Sequence, residues 1–193
     1  MSTQLILQAG DILGEAFLDY PVMEYAFTKV HGQERQKLLA ALYTKLADVA
    51  MEEGNVIVTE YNTGAICWVP RSSYRVIFNR KILAIPFLVG IVPTWRMARH
   101  SDETEEWIEK HTAQNFGYIS CVGVLASGRG KGHCRALIKQ CLDEMKQKGM
   151  TECWLMTDKE INVTIYTKLG FHVELEHVVK CSGLKSWAMK IDI

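Results

Sequence analysis

Hydrophobic spacing changes texture along the chain, and the changes mark out elements. Residues 3–8 alternate well enough to predict a first strand, and two helices are predicted near 11–29 and 33–52. In the second, Leu38, Leu39, Leu42, Leu46 and Val49 recur at helical spacing, with Arg35, Lys37, Lys45 and Asp48 among the polar positions. Val56 to Tyr61 is a short β-rich run, Asn62-Thr63-Gly64 a hairpin signal, and Ala65 to Val69 the returning strand, which Pro70 ends or bends. Residues 73–112 read as helices broken at Pro86 and Pro93. They close in the acidic stretch Asp102, Glu103, Glu105, Glu106 and Glu109, expected to form a solvated helix face.

From Phe116 the pattern becomes strand, glycine-rich turn, helix, strand, helix, strand, strand. The strands are predicted at 117–125, 152–157, 171–180 and 184–192, and the helices at 131–148 and 160–168. A strand–helix–strand unit implies a parallel pair joined by a right-handed crossover. No repeat, low-complexity tract or linker interrupts the 193 residues, so one α/β domain is expected over 1–193.

Composition narrows the function classes. At 48% hydrophobic and 23% charged the chain is globular rather than disordered, and long enough to need no disulfide or metal staple. Lys+Arg and Asp+Glu are 22 each, so the basic excess of a dedicated nucleic-acid binder is lacking. The six cysteines contain no C-x-x-C pair and no zinc spacing, and no metal site is expected. Most lie in apolar runs, which with the absence of a signal-like start points to a reducing, cytoplasmic compartment. The most apolar stretch, Ile82 to Val92, is eleven residues interrupted by Pro86, against the roughly 20 a spanning helix requires.

The densest chemical signal is the turn Gly128-Arg129-Gly130-Lys131-Gly132 between a strand and an amphipathic helix. On that helix Cys134, Leu137, Ile138, Cys141, Leu142 and Met145 share a face. Glycines admit close backbone approach, and the first N–H groups of a helix have no internal partner. Such a start therefore attracts anions, here with Arg129 and Lys131 alongside. A P-loop is excluded, because Arg129-Gly130 replaces the Lys-Ser/Thr that would bind nucleotide and magnesium. A dinucleotide fingerprint is the weaker alternative: His133 stands where its third glycine belongs, and too few strands follow. A ligand-free tight turn is the remaining reading.

Arg129-Gly130-Lys131-Gly132-His133-Cys134 resembles the R/Q-x-x-G-x-G/A motif of the GNAT superfamily of acyl-CoA N-acetyltransferases, with Cys134 replacing the final Gly/Ala. Val122-Gly123-Val124 resembles that family's L-x-V strand, and Asn162-Val-Thr-Ile-Tyr166-Thr-Lys-Leu-Gly170-Phe171 its N-x-x-x-Y-x-x-x-G-F segment. More loosely, Ala16 to Pro21 and Trp68 with Pro70 resemble the small-molecule branch near the puromycin-type acetyltransferases.

The resemblance implies a mixed, mostly antiparallel sheet of six or seven strands, with 117–125 and 152–157 parallel and splayed. Residues 1–115 would form the acceptor side and 116–193 the acetyl-CoA core. It implies transfer of an acetyl group from acetyl-CoA to a primary amine, expected to be a small molecule, by direct attack in a ternary complex. No nucleic acid or membrane partner is expected, and a homodimer is one expected assembly. Val122, Gly123, Val124, Arg129, Gly130, Lys131, Gly132, His133, Cys134 and Asn162 would hold the cofactor. The Val124 N–H would donate to the thioester carbonyl, and Tyr166 would be the general acid.

Helix capping is the other reading of Asn162, core packing that of Tyr166, and Phe171 reads as core. Ser120 stands where relatives carry a catalytic glutamate, and a hydroxyl needs its own activator. The base candidates are then Asp19, Glu24, Glu60, His111 or a water chain. His100, His172 and His177 read as surface or pleat residues. Tyr20, Met23, Tyr25, Phe27, Trp68, Phe87 and Trp95 could line an acceptor cleft. The functional alternative is an acyl-CoA-binding regulatory module without turnover.

Overall fold

The computed structural model describes residues 2–74, 80–112 and 115–193. The chain opens on helix α1 (Ser2–Ala16), not on a strand at 3–8. Leu5, Ile6, Ala9, Ile12 and Leu13 continue a helical period that six residues are too few to reveal. Helix α2 (Pro21–Ala26) has Pro21 at its start, and α3 (Gly32–Glu53) packs along α1. The two helices approach very closely: a Cβ at Gly14 would come within 2.6 Å of the Ala40 backbone nitrogen, so a side chain there would push them apart.

Strands β1 (Asn55–Val58) and β2 (Gly64–Pro70) form the expected hairpin, with Asn62 at φ 52° in its turn. In the 73–112 region, residues 75–79 lie outside the described residues. The helices that follow are not broken at their prolines. Pro86 and Pro93 instead sit in the first turns of α4 (Ile85–Val89) and α5 (Ile91–His111), where a missing N–H is tolerated. The break falls at Gly90, whose φ of 95° suits glycine. Strand β3 (Phe116–Val124), helix α6 (His133–Gln147), β4 (Glu152–Thr157), α7 (Glu160–Thr167), β5 (His172–Val178) and β6 (Lys185–Asp192) follow the predicted order.

Among the described residues, six strands form one sheet in the order β1-β2-β3-β4-β6-β5, antiparallel except for β3–β4. This is the mixed, mostly antiparallel α/β sheet expected. The two-residue period of the strands divides the core. Ala65, Cys67, Val69 and Tyr118 face α1–α5, whereas Ile66, Trp68 and Ile119 face α6 and α7.

One irregularity positions the site. Cys67 pairs with Cys121 but Trp68 pairs with Ile119, so Ser120 is an extra residue in β3, a β-bulge. The parallel β3–β4 pairing ends at the same level, at Ile119↔Leu155. Beyond it Ser120 to Val124 and Met156 to Thr157 diverge. The splay therefore begins at the bulge.

Candidate functional site

A cavity of about 260 Å³ opens from this splay. Its walls are Ser120 to Val122 of β3, Leu155, Met156 and Asp158 from the end of β4, Asn162 and Tyr166 of α7, and helices α2, α3 and α5. Ser120 Oγ donates to the Cys67 carbonyl at 3.1 Å.

Tyr166 reaches the cavity from α7 although it is only 7% exposed. Burial, and then the Cys134 thiol nearby, pushes its hydroxyl well above the ordinary tyrosine range, so it stays protonated at neutral pH. Asn162 caps no helix, since the residue before α7 is Lys159. Its Nδ2 donates to Thr157 Oγ1 at 3.0 Å, which fixes the amide at the cavity wall. Phe171 is 1% exposed and packs near Tyr166, with ring centroids 6.1 Å apart; it belongs to the core.

The glycine loop lies at the start of α6. Gly130 and Gly132 have φ values of 75° and 80°, and a Cβ on either would meet nothing within 4 Å. The first α-helical bond joins the Ala136 N–H to the Gly132 carbonyl at 3.0 Å, so the amides of His133, Cys134 and Arg135 precede it. Arg129, Lys131 and His133 surround these donors and are exposed or half-exposed. An open, backbone-lined, cationic helix start is a cradle that suits a pyrophosphate. Val122, Gly123 and Val124 pair with Ile66, Ala65 and Gly64 on one side, and lie beyond the β4 pairing on the other.

The structure redistributes the other candidates. Tyr20 and Met23 line the cavity. Trp68 is buried on the opposite face of the sheet, with Nε1 donating to Glu144 Oε2 at 3.1 Å. Phe27 is core, Tyr25 donates to the Cys181 carbonyl, and Phe87 and Trp95 are on the surface. Asp19 and Glu24 belong to a separate pocket with His31 and Arg35, and Glu60 is exposed in the β1–β2 turn. His111 is an exposed residue stacked on Trp107. Within the acidic stretch, Asp102, Glu106 and Glu109 are exposed as expected, but Glu105 turns inward and lines the cavity.

The reading of His100 as a surface residue is corrected: it is 1% exposed and lines the cavity beside Asp158. Its Nε2 lies 3.1 Å from Asp158 Oδ1 and its Nδ1 2.9 Å from Ser182 Oγ. His177 is likewise mostly buried and bonded to Thr104 Oγ1 at 2.8 Å, while His172 remains exposed. Sequence reasoning missed the His100–Asp158 pair because 58 residues separate its members. The only signal was a histidine three residues from Met97 and four from Thr104, on the buried stripe of α5.

The Acetyltransferase (GNAT) family profile matches residues 89–171, which is less than half of the chain but spans the splay, the glycine loop and α7. The whole sheet, with its flanking helices, superposes on solved structures of that type. The fold is that of the GNAT acetyltransferases. Arylalkylamine N-acetyltransferase 2 from Aedes aegypti matches with a TM-score of 0.67 at 13% identity, covering 100% of this chain and 96% of that one. The C-terminal condensation domain of Ebony, solved in complex with beta-alanyl-dopamine, matches with a TM-score of 0.70 at 10% identity over 99% and 95% of the two chains. A chain of the NatC complex bound to Gag peptide and CoA matches over only 43% of this chain and 54% of its own length, at 20% identity and a TM-score of 0.39. No curated protein matches in sequence. Among the described residues, no cluster of His, Cys, Asp or Glu is placed to hold a metal ion, and no helix is long and apolar enough to cross a membrane.

Proposed function

We propose that this chain is an acetyl-CoA-dependent N-acetyltransferase for a small-molecule primary amine, acting by direct attack in a ternary complex over one unit of residues 1–193. The observation that carries this reading is the divergence of β3 and β4 after Ile119 and Leu155. It opens a cavity with Tyr166 and Asn162 on its wall, close to the cationic start of α6.

Each proposed role has a physical basis. The amides from Arg129 to Cys134 take the pyrophosphate at a helix start. The edge of β3 freed at Val122 to Val124 receives the pantetheine arm, and the Val124 N–H donates to the thioester carbonyl. Asn162 steadies the arm. The amine attacks the carbonyl carbon, the C–S bond breaks, and Tyr166, kept protonated by its burial, gives its proton to the departing thiolate.

A small aromatic or apolar amine fits the walls better than a peptide. Phe17, Tyr20, Tyr43 and Tyr118 surround the space, and its volume of about 260 Å³ suits a compact acceptor. The GNAT folds that match over nearly the whole chain include an arylalkylamine N-acetyltransferase, in line with this choice. The test is release of free CoA thiol from acetyl-CoA over a panel of arylalkylamines, diamines and peptide N-termini. Turnover of at least one amine is expected. Tight CoA binding with no turnover of any amine would leave the acyl-CoA-binding module instead.

A further inference from the structure

We propose that Asp158, held by His100, is the ammonium anchor and first proton acceptor for the acceptor amine, which makes the substrate class a cationic amine on an apolar or aromatic body. The inference deepens the N-acetyltransferase reading and rests on it for the transfer step. Asp158 has a side chain only 3% exposed, just past the end of β4 and beyond the level at which that strand parts from β3. Among the described residues its carboxylate makes one hydrogen bond, to His100 at Oδ1. Among the described residues that line the cavity, none is Lys or Arg.

A carboxylate only accepts, so the shared proton sits on His100 Nε2. Ser182 Oγ accepts the Leu184 N–H at 3.2 Å and lies 2.9 Å from His100 Nδ1, so the ring is held at both nitrogens. The imidazole holds Oδ1 in place, while Oδ2 makes no hydrogen bond among the described residues. A buried carboxylate without a counter-charge is costly, and a bound ammonium would supply that charge.

The surroundings direct the charge into the cavity. The Asp158 backbone N–H donates to the Tyr20 hydroxyl at 2.8 Å, which fixes the turn after β4. Among the described residues, the titratable groups lining the cavity with Asp158 are His100 and Glu105 of α5, Tyr20 before α2, Tyr43 of α3, Tyr74 after β2, Tyr118 and Cys121 of β3, and Tyr166 of α7. The Lys159 ammonium lies over the Tyr20 ring, 5.4 Å from its centroid. Burial first, and the Asp158 charge among the further causes, raises Tyr20, Tyr43 and Tyr118, so these phenols stay neutral beside it.

The protons balance. The ammonium gives one proton to Asp158, and the freed lone pair forms the N–C bond. The C–S bond breaks and the thiolate takes the Tyr166 proton. A second N–H proton returns to the Tyr166 oxygen, and Asp158 releases its own to solvent. One amide, one thiol and one proton result. His100 touches no substrate and is a positioning residue.

The test begins with binding, which needs no turnover. Calorimetry at neutral pH should show 2-phenylethylamine binding the native protein at least about tenfold more tightly than 2-phenylethanol, a factor worth about 1.4 kcal/mol. Asp158→Asn, similar in size, should abolish that preference while leaving 2-phenylethanol and CoA binding unchanged. Equal binding of the two ligands by the native protein, or an undiminished preference in Asp158→Asn, overturns the proposal.

In turnover, Asp158→Asn should lower kcat/KM for 2-phenylethylamine by roughly 10²-fold, the scale of a positioned base. For phenylhydrazine, already neutral at pH 7, the loss should be several-fold smaller; equal losses would show a merely structural role. His100→Leu should reproduce the Asp158→Asn pattern in weaker form, and His100→Gln, which keeps an N–H donor, should restore part of it. His100→Leu retaining full cation preference would remove His100 from the proposal. A native protein that prefers the cation yet acetylates nothing keeps the anchor and sinks the transferase reading; brisk acetylation untouched by Asp158→Asn does the reverse.

Discussion

The Tyr20 hydroxyl lies 3.0 Å from Thr157 Oγ1, joining residues 137 positions apart at the mouth of the strand splay. Thr157 is 1% exposed and also accepts from Asn162 Nδ2 at 3.0 Å. A single hydroxyl thereby ties the helix that walls the acceptor side to the helix that carries Tyr166.

Thr157→Val keeps the shape of the side chain but leaves the Tyr20 hydroxyl and the Asn162 amide without their shared partner. Such a loss costs about 1–3 kcal/mol. The urea midpoint should fall accordingly, and KM for both acetyl-CoA and the amine should rise. A midpoint equal to that of the native protein would show that Thr157 is not the junction.

Tyr166→Phe removes one hydroxyl and little volume. It should lower kcat by roughly 10²-fold, about 2.7 kcal/mol, with stability and acetyl-CoA affinity nearly intact. Because burial raises this phenol above its ordinary value near 10, it remains the protonated acid through neutral and mildly alkaline pH. The alkaline side of the kcat profile should thus show no fall below pH 10 that Tyr166→Phe abolishes. A rise in KM with kcat unchanged would mark the residue as a positioning contact instead.

Gly132 precedes α6 at φ 80° with open space where a Cβ would stand. Gly132→Ala carries only the left-handed backbone penalty of roughly 1–2 kcal/mol, whereas Gly132→Asp adds a negative charge at the anion cradle. Calorimetry should find CoA affinity reduced far more by Asp than by Ala. Equal affinities in the two variants would place the pyrophosphate elsewhere.

Burial raises the Cys141 and Cys153 thiols far above their ordinary range, and only the thiolate reacts. Cys134 and Cys181 are half-buried; burial raises the Cys134 thiol as well, but less than those of Cys141 and Cys153. Disulfide-exchange labelling of the native protein should therefore modify Cys134 and Cys181 and spare Cys141 and Cys153. CoA should protect Cys134 alone, because it stands at the first turn of α6. Labelling of Cys134 that CoA does not slow would count against the cradle.

Much of the C-terminal half was legible in the chain, for reasons of local physics. The glycines at 130 and 132 are required by backbone dihedrals, the stripe from Cys134 to Met145 by helical period, and strand 152–157 by a short apolar run, which the structure reproduces residue for residue. The first helix was missed because its period exceeds the six residues that suggested a strand, and Pro86 and Pro93 were read as breaks although proline is equally at home in a first turn. The sequence by itself determined the β1–β2 hairpin, the order of elements from β3 onward and the glycine turn before α6, all of which depend on neighbours a few residues apart. Only the tertiary structure decided the bulge at Ser120, the level at which β3 and β4 part, and the meeting of His100, Asp158 and Tyr20, because each depends on register and packing between segments far apart in the chain, where no local pattern reaches.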